Sequence, residues 1–483
     1  MGRKIPMWQV FVSIITLLVL LFYEIVLAGD EEGHIALVVA AGVAVIFASI
    51  NGWKWAYIEK GIINSISRSM QAMLILMTVG MMIGSWIAGG VVPSMIYYGL
   101  KILSPGIFLF ASCLLCSVVS LATGSSWSTA GTIGVALIGV GMGLDINPAM
   151  TAGAVVSGAY FGDKMSPLSD TTNLAPAVAG SNLFDHIRHM IWTVTPSLIV
   201  ALAVYLFLGF GRGGNFEADQ VTTMLDAIKE EFLISPLLLI PPLFVIVAVA
   251  FRLPALPSLL GGALLGLVCT VFQPNSTGWL TWASTLNYGY ESINANGDIA
   301  DLLTGGGMQS MMWTISLIIC AMVFGGVMDA TDQLKTLAEA LLNLVKGRGS
   351  LVLTTVISCI FVNIVACDQY LAIILPGRMY KQAFEDRRLK AKNLSRCLED
   401  SGTVTSNLVP WNTCGATMTG FLGVKQWGPG GYGPFAVLSW FNPIVSIFYG
   451  YTGISMEMMT EEEYEKVLEQ RELDRELALK AME

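Results

Sequence analysis

The sequence contains little charge. Charged residues make up only 13% of its 483 residues, about half of the share that is usual in soluble domains. Hydrophobic residues make up 54%, and the mean hydropathy is +0.66. Apolar runs extend from end to end with no Ser- or Pro-rich linker between them. Because backbone groups in lipid must be satisfied within the segment, the composition predicts an all-α polytopic membrane protein.

Three further absences narrow the function. The 26 basic residues are outnumbered by 35 acidic ones, which argues against a nucleic-acid-binding protein. No glycine-rich loop ends in Gly-Lys-Ser or Gly-Lys-Thr, so ATP-driven transport is not indicated. The three histidines fall at predicted membrane edges, and most of the eight cysteines lie in apolar runs, where we expect packing residues rather than disulfides. We expect no cofactor.

Eight apolar runs approach the length of a transmembrane helix, which is about 20 residues. They are residues 8–28, 35–50, 70–89, 191–210, 232–251, 256–272, 311–328 and 434–451. Lys and Arg remain in the cytoplasm, so Arg3, Lys4 and the basic stretch from Lys381 to Arg396 place both termini inside the plasma membrane. Residues 1–457 are then the transmembrane domain. Residues 458–483 are a charged cytoplasmic tail, since ten acidic and four basic residues occur from Glu457 onward.

Two other apolar segments are predicted to enter and leave the membrane on one side. Residues 107–140 and 351–376 each contain a polar interruption. Arg348 and Lys381 place both ends of residues 351–376 inside, and the number of preceding spans places both ends of residues 107–140 outside. They are therefore predicted to be re-entrant hairpins, although residues 351–376 are also long enough for two short tilted spans. Their polar tips must be lined by protein or water. Each hairpin precedes an interrupted span, residues 148–183 and 394–421.

The two halves of the chain contain these elements in the same order. A polar phrase also recurs: Thr171-Thr172-Asn173-Leu174-x-Pro176 is followed 234 positions later (405 minus 171) by Thr405-Ser406-Asn407-Leu408-x-Pro410. The charge bias gives the halves opposite orientations. We therefore predict inverted-topology repeats, residues 8–210 and 232–451, with broken transmembrane helices that meet at a site near the membrane midplane.

Carboxylates inside the membrane are functional candidates, because a charge at that depth is costly. Asp163, Asp170 and Asp368 qualify, and hydroxyl, amide and carbonyl oxygens near them are suitable ligands for a hard monovalent cation. A carboxylate that holds either a proton or a cation, but not both, couples the two. The predicted site for a cation and a proton comprises Asp163, Asp170, Thr171, Thr172, Asn173, Asp368, Thr405, Ser406 and Asn407, and the predicted pathway adds Thr123, Ser125, Ser126, Ser128 and Asn363.

Structural roles remain open for several of these residues. Asp163 could pair with its neighbour Lys164 at a cytoplasmic mouth, and Asp170 could cap a half-helix. Asn173 and Asn407, which we place at equivalent positions of the two repeats, could be neutral ligands or could bond the exposed backbone.

The segment from Gly162 to Pro176 resembles the NhaC-type Na⁺/H⁺ antiporters of the ion-transporter superfamily. Residues 122–130 and 366–370 are similar to further landmarks of that family, and the resemblance covers residues 8–451. It implies a secondary active transporter, not an enzyme, that exchanges cytoplasmic Na⁺ or Li⁺ for external H⁺. The family also resembles exchangers of malate and lactate, so Na⁺- and H⁺-coupled exchange of small organic acids is the alternative.

The resemblance also implies which groups take part. Asp163, Asp170 and Asp368, with the Ser, Thr and Asn residues around them, are the implied cation residues. The implied partners are Na⁺, H⁺ and membrane lipid, with no nucleic acid, and a homodimer is left open.

Two other classes fit the pattern less well. Intramembrane aspartyl proteases use Gly-x-Gly-Asp, whereas Tyr160 replaces the first glycine here, and a motif without its partner residues is weak. A passive channel does not need carboxylates that bind protons, and inverted broken helices are typical of alternating access.

The predicted topology can be tested by cysteine labelling of intact cells. In a variant without the eight native cysteines, Asn147→Cys and Asn294→Cys should react with an impermeant maleimide added outside, whereas Arg387→Cys should not. External labelling at position 387 would contradict the inverted arrangement.

Overall fold

The computed structural model describes residues 2–24, 33–210, 218–251, 253–274, 278–293, 300, 303–342 and 345–480. These residues form helices joined by short turns, and their only strand-type contacts are two isolated bridges. The helices are α1 (Met7–Phe22), α2 (His34–Ile50), α3 (Trp55–Ala88), α4 (Val91–Ile102), α5 (Pro105–Thr123), α6 (Ser126–Thr129), α7 (Val135–Gly143), α8 (Pro148–Met165), α9 (Asp170–Ala179), α10 (Leu183–Phe210), α11 (Ala218–Glu231), α12 (Ile240–Ala250), α13 (Ala255–Thr270), α14 (Trp282–Tyr288), α15 (Met312–Ala330), α16 (Gln333–Leu342), α17 (Arg348–Val365), α18 (Gln369–Glu385), α19 (Ala391–Leu398), α20 (Thr413–Leu422), α21 (Val437–Thr452) and α22 (Glu461–Lys480).

Five helices of the described chain are long and apolar enough to cross a membrane. They are α3, α5, α10, α17, and α15 with the 3₁₀ turn that precedes it. The end of α11 together with Pro236–Ala250 would be a sixth span, bent by 88°. Three shorter apolar helices, α1, α2 and α13, have 16, 17 and 16 residues. These lengths and compositions confirm the prediction of an all-α polytopic membrane protein.

Two predicted spans differ from the helices observed. The span predicted at 70–89 is the second half of α3, a 34-residue helix that also carries Lys60 and Arg68, which we expected before the span. The span predicted at 232–251 becomes α-helical only at Ile240, because two prolines follow directly and proline is tolerated in the first helical turn but not within a helix. Residues 25–28, the end of the first predicted span, lie outside the described ranges.

Both predicted hairpins are present. In the first, α5 turns at Gly124 and Ser125 into α6, which continues through a π-helical turn (Ala130–Gly134) into α7. In the second, α17 turns at residues 366–368 into α18, and the two helices pack together. Its arms have 18 and 17 residues because they continue beyond the predicted segment 351–376. Since α5 and α17 are each long enough to span a membrane alone, re-entry stays a prediction.

The order and packing of the elements recur in the two halves. Helices α12, α13, α15 and α16 precede the second hairpin as α1 to α4 precede the first, and each hairpin is followed by a broken span and a long helix. Helix α5 packs on α10 as α17 packs on α21, and α3 packs on α13 as α15 packs on α2. This recurrence agrees with two repeats. The inversion of one repeat relative to the other stays a prediction.

The repeated polar phrase does not occupy equivalent positions, which corrects our placement of its two asparagines. Asn173 lies within α9, the half-helix after the first break, and is exposed. Asn407 is buried within the second break, in a 3₁₀ turn that precedes α20. The caps of the two half-helices, Ser169 and Asn412, are 243 positions apart (412 minus 169). The spacing of the two caps therefore exceeds the spacing of the repeated phrase by nine residues (243 minus 234).

Helices α5 and α8 approach closely through two glycines one turn apart on α8. A Cβ at Gly158 would overlap the Cys113 carbonyl oxygen, and a Cβ at Gly162 would overlap the Ser117 carbonyl oxygen. Small residues four positions apart let helix backbones approach each other in membranes. This contact holds the end of α8, and with it Asp163, against the first hairpin.

The C-terminal segment folds back onto the turn between α18 and α19. Thr460 and Glu463 form a capping box that begins α22, with backbone-to-side-chain hydrogen bonds of 2.8 and 3.2 Å. Lys390 Nζ lies 2.9 Å from Glu463 Oε1, and Arg471 Nη2 lies 2.6 Å from Glu385 Oε2. The hydrogen bond from Thr460 and the Lys390 charge lower the pKa of Glu463, so its ion pair is lost only below the pH at which an ordinary glutamate becomes neutral. The boundary at residue 458 stays a prediction.

Gly162→Ala should destabilise the protein, because the added methyl group would push α8 away from α5, and overpacking of this kind costs about 1–3 kcal/mol. Gly42→Ala is the matched control, since Gly42 lies in α2 and its Cβ would have no atom within 4 Å. Thermal unfolding of the purified proteins should give a lower midpoint for Gly162→Ala alone. Equal midpoints for the two variants would contradict the close approach.

Candidate functional site

Each hairpin turns through one residue in the left-handed conformation. These residues are Gly124, at a φ of +69°, and Cys367, at a φ of +60°. The residue that follows caps the second arm: Ser125 Oγ accepts a backbone N–H of α6 at 3.1 Å, and Asp368 Oδ1 accepts one of α18 at 2.9 Å. Asp368, a predicted site residue, is therefore a buried helix N-cap.

Each hairpin tip lies against the start of a half-helix. A Cβ at Gly124 would lie 2.8 Å from the Leu168 carbonyl carbon, just before α9. At the second tip, Cys367 O accepts a hydrogen bond from Thr413 N, in the first residue of α20, at 3.0 Å. Helix N-termini expose backbone N–H groups that need partners. The two tips therefore place polar helix ends side by side within the protein.

Asp163 lies near the end of α8 and is only 8% exposed. Its Oδ2 accepts a hydrogen bond from Ser126 Oγ at 2.6 Å, which joins it to the first residue of α6. Thr172 Oγ1 donates to the Lys164 carbonyl oxygen at 3.0 Å and so closes the break after α8. Among the other predicted pathway residues of the first tip, Ser128 is buried, and its Oγ has no hydrogen-bond partner in the described structure.

Of the remaining predicted residues of the first break, Asp170 and Asn173 are exposed, whereas Thr171 is buried. Asp170 is the first residue of α9, whereas Ser169 is the N-cap and accepts from Thr172 N at 3.4 Å. The capping role considered for Asp170 is therefore wrong. Asn173 Nδ2 donates to the carbonyl oxygens of Pro167 and Ser169, at 2.9 and 2.7 Å. Its amide group satisfies the backbone of the break.

The predicted residues of the second break are buried and bonded within it. The side chains of Thr405, Ser406 and Asn407 donate to backbone carbonyl oxygens three or four residues earlier, at 2.6, 2.6 and 2.8 Å. Asn363 Nδ2, on α17, donates to Gly402 O at 2.7 Å and so ties the second hairpin to the break. Asn407 Oδ1 has no hydrogen-bond partner among the described residues, so this oxygen is open to a ligand.

The charges of the three predicted aspartates act on one tyrosine. Asp163, Asp170 and Asp368 all interact electrostatically with the phenol group of Tyr370, in the first turn of α18. Arg68, from the long helix α3, also interacts with Asp368. The structure therefore brings predicted carboxylates of both halves into one region. Arg68 is far from Asp368 in the sequence, and its ion pair is with Asp329.

A buried ion pair that the sequence analysis missed joins the two broken spans. Lys164 Nζ, on α8, pairs with Asp400 Oδ1, just after α19, and both side chains are fully buried. Thr193 Oγ1 and Asn442 Nδ2 each donate to the same carboxylate oxygen at 2.9 Å. The pairing of Lys164 with Asp163 that we considered is therefore wrong, because Lys164 pairs with a residue of the other half.

Arg396 is the second base at this ion pair. Its side chain is fully buried, although we expected it among the basic residues of a cytoplasmic surface. Its Nε lies 3.8 Å from Asp400 Oδ2, and its Nη1 donates to Ser455 O at 3.0 Å. Asp400 thus faces one base from each broken span.

Glu399 is a further buried carboxylate that was not predicted. It begins the π-helical turn Glu399–Thr403, and neither of its carboxylate oxygens has a hydrogen-bond partner in the described structure. The hydroxyl groups of Thr171 and Thr403 lie beside it, and the charges of Lys164 and Asp163 act on it. A signal was available in the sequence, because Glu399 begins an acidic pair inside the second predicted interrupted span.

Comparisons with known sequences identify the family. A family model described as the Na⁺/H⁺ antiporter family matches residues 158–454. The chain belongs to the Na⁺/H⁺ antiporter family. It is 40% identical to the Na⁺/H⁺ antiporter NhaC of Alkalihalophilus pseudofirmus, over 88% of this chain and 91% of the relative. The resemblance to NhaC-type antiporters is thus confirmed.

Two other matches extend the comparison. The malate-2H⁺/Na⁺-lactate antiporter of Bacillus subtilis is 36% identical, over 88% of this chain and 90% of the relative. The solved structure of MtrF from Neisseria gonorrhoeae, of a class of antimetabolite efflux pumps, matches with 13% identity and a TM-score of 0.39, over 93% of this chain and 95% of that one.

Membership of the antiporter family has direct consequences. Antiporters are transporters and not enzymes, and together with the apolar helices the family makes the chain a multi-pass membrane protein. The matched residues 158–454 include the breaks of both broken spans and the whole second hairpin. They therefore include the predicted aspartates and the buried cluster around Asp400.

Asp400→Asn should destabilise the fold strongly, because it leaves Lys164 and Arg396 buried without their shared counter-charge, a change that costs about 3–5 kcal/mol. Adding Lys164→Met removes one of the two uncompensated charges, so the double variant should recover part of the lost thermal stability. Glu59→Gln, at an exposed position of α3, is the control and should unfold like the wild type. A double variant less stable than Asp400→Asn would contradict this pairing.

Proposed function

We propose that this chain exchanges cytoplasmic Na⁺ or Li⁺ for external H⁺ across the plasma membrane, with both termini in the cytoplasm. Its family and the relative named Na⁺/H⁺ antiporter NhaC support this activity. The buried carboxylates at the two breaks are groups that both ions can occupy.

The observation that carries this proposal is the state of Asp163. Its carboxylate is buried and accepts a hydrogen bond from Ser126, but the adjacent base, Lys164, is engaged by Asp400. In the part of the chain that the structure describes, Asp163 makes no ion pair. A buried carboxylate without a counter-charge is unfavourable, and either a proton or a Na⁺ ion removes that cost. Competition for one carboxylate is the minimum requirement for exchange.

The other predicted groups lie around this carboxylate. Asp170 and Asp368 act on Tyr370 as Asp163 does, so their negative charges favour the entry of a cation into the same region. Asn407 Oδ1 is an unpartnered oxygen that a cation could use. Asn173, whose amide bonds the backbone, contributes to the geometry of the break.

Exchange of small organic acids is the second candidate, and the relative named malate-2H⁺/Na⁺-lactate antiporter supports it. A substrate carboxylate at membrane depth needs a basic partner. Lys164 and Arg396 are buried bases beside the breaks, but both already face Asp400. This arrangement favours a cation as the transported ion.

Transport in proteoliposomes tests the proposal. The wild type should move protons against Na⁺ or Li⁺ with saturable kinetics and without added malate or lactate, and its rate should rise with pH as protons leave the carboxylate. Asp163→Asn should abolish this exchange, because an amide cannot hold a proton or balance a cation. Asp368→Asn should reduce the flux yet keep the fold, since asparagine caps a helix as well as aspartate does.

Glu59→Gln, an exposed acidic position outside the site, is the control and should transport normally. Wild-type exchange in Asp163→Asn would remove that residue from the site, and an unchanged pH profile in Asp368→Asn would remove Asp368 from the proton path. A strict requirement for malate or lactate would favour the second candidate.

A further inference from the structure

We propose that Glu399 and Thr403 of the second half complete a Na⁺ site with Asp163 and Thr171 of the first half, so that the cation binds between the two broken spans. The proposal rests on the exchange of cations proposed above. It adds a carboxylate and a hydroxyl group that the repeated phrases do not contain.

Glu399 is held at this place by the irregular end of α19. The π-helical turn Glu399–Thr403 widens the helix by one residue, and such turns are frequent at functional sites. The neighbouring side chain, Asp400, points to Lys164, whereas Glu399 lies beside the hydroxyl groups of Thr171 and Thr403. Consecutive carboxylates thus face different surroundings.

The surroundings of Glu399 are incomplete without a ligand. The side chain is fully buried, and neither carboxylate oxygen has a hydrogen-bond partner in the described structure. The hydroxyl oxygen of Thr403 is likewise buried and without a partner there. An unpaired buried carboxylate costs several kcal/mol. Lys164 is close enough to act on Glu399, but its ammonium group is paired with Asp400.

The chemistry of these groups favours a hard monovalent cation. The groups that surround the position are the carboxylates of Glu399 and Asp163 and the hydroxyl groups of Thr171 and Thr403, all of which offer oxygen. Oxygen ligands of this kind suit hard cations and not soft metals. A water molecule would supply hydrogen bonds, but it would leave the charge of the carboxylates unbalanced.

The charges of the cluster around Asp400 also favour a bound cation. Asp163, Glu399 and Asp400 contribute three negative charges, and Lys164 and Arg396 contribute two positive charges, all on buried side chains. The formal sum is −1 (2 minus 3), and one Na⁺ ion brings it to zero. Because uncompensated charge is costly at this depth, a cation beside Asp163 and Glu399 is favoured over an empty site.

Direct binding to the purified full-length protein tests the site. Radioactive Na⁺ should bind the wild type and should stabilise it against heat. Glu399→Gln keeps the shape of the side chain and removes its charge, so it should weaken Na⁺ binding roughly 10-fold or more, the effect of about 1.4 kcal/mol. Thr403→Val, which removes one hydroxyl group and no charge, should weaken Na⁺ binding less than Glu399→Gln does.

Glu59→Gln is the matched control, since this glutamate is exposed on α3 and should bind Na⁺ like the wild type. Wild-type affinity in Glu399→Gln would overturn the proposed site. If Glu399→Gln does not fold, Thr403→Val decides: weaker Na⁺ binding supports the site and unchanged binding overturns it. Na⁺ binding that depends on Glu399, in a protein that shows no Na⁺/H⁺ exchange, would support the site and refute the proposed function. The reverse result, exchange without dependence on Glu399, would refute the site alone.

Discussion

A charge buried at membrane depth needs a partner, and this constraint determines how the two halves of the chain meet. Lys164, near the end of α8, is fully buried, and its partner is Asp400, 236 residues later. Leaving either charge buried without its partner would cost several kcal/mol. The ends of α8 and α19 must therefore stay side by side. Thr193 and Asn442 add hydrogen bonds from α10 and α21 to the same carboxylate. One ion pair thus connects both broken spans and the long helix that follows each of them.

The broken spans impose a second requirement, which is to satisfy the backbone where the helix stops. Ser169 and Asn412 cap the half-helices, and Ser125 and Asp368 cap the second arms of the hairpins. Asn173 uses its amide for the same purpose. Many polar side chains of a broken membrane helix therefore form hydrogen bonds with the backbone. The oxygens left over, rather than the most polar stretch, identify the positions where an ion can bind.

Much of the architecture was predictable from local sequence, because polar interruptions and charge bias directly reflect the membrane. Both hairpins and both breaks occur where the sequence predicted them, and Asp163 is buried beside Ser126 at a hairpin tip. The repeated phrase was less reliable, since short polar phrases recur without sharing a structural position. Asn173 lies within a half-helix, whereas Asn407 lies within a break.

The partners of the buried charges were not predictable, because they depend on contacts between distant segments. Lys164 had an adjacent carboxylate in the sequence, at Asp163, yet it pairs with Asp400. Asp368 had no nearby base in the sequence, yet α3 brings Arg68 into range. Glu399 was overlooked because the basic residues before it indicated a cytoplasmic surface, whereas its side chain is fully buried. Local charge identifies candidates, but tertiary packing decides which of them remain unpaired.

The balance of paired and unpaired carboxylates explains how one fold can hold a rigid cluster and an exchangeable ion together. Asp400 faces two bases and is fully compensated, so it stabilises the contact between the halves whether or not an ion is bound. Asp163 and Glu399 have hydroxyl groups as neighbours, and the base near them, Lys164, is paired with Asp400. A similar excess occurs around Asp368, because its basic neighbour, Arg68, also pairs with Asp329 at 3.0 Å. In the exchange that we propose, the carboxylates that exceed their bases, and not the polar oxygens along the path, determine where a cation binds.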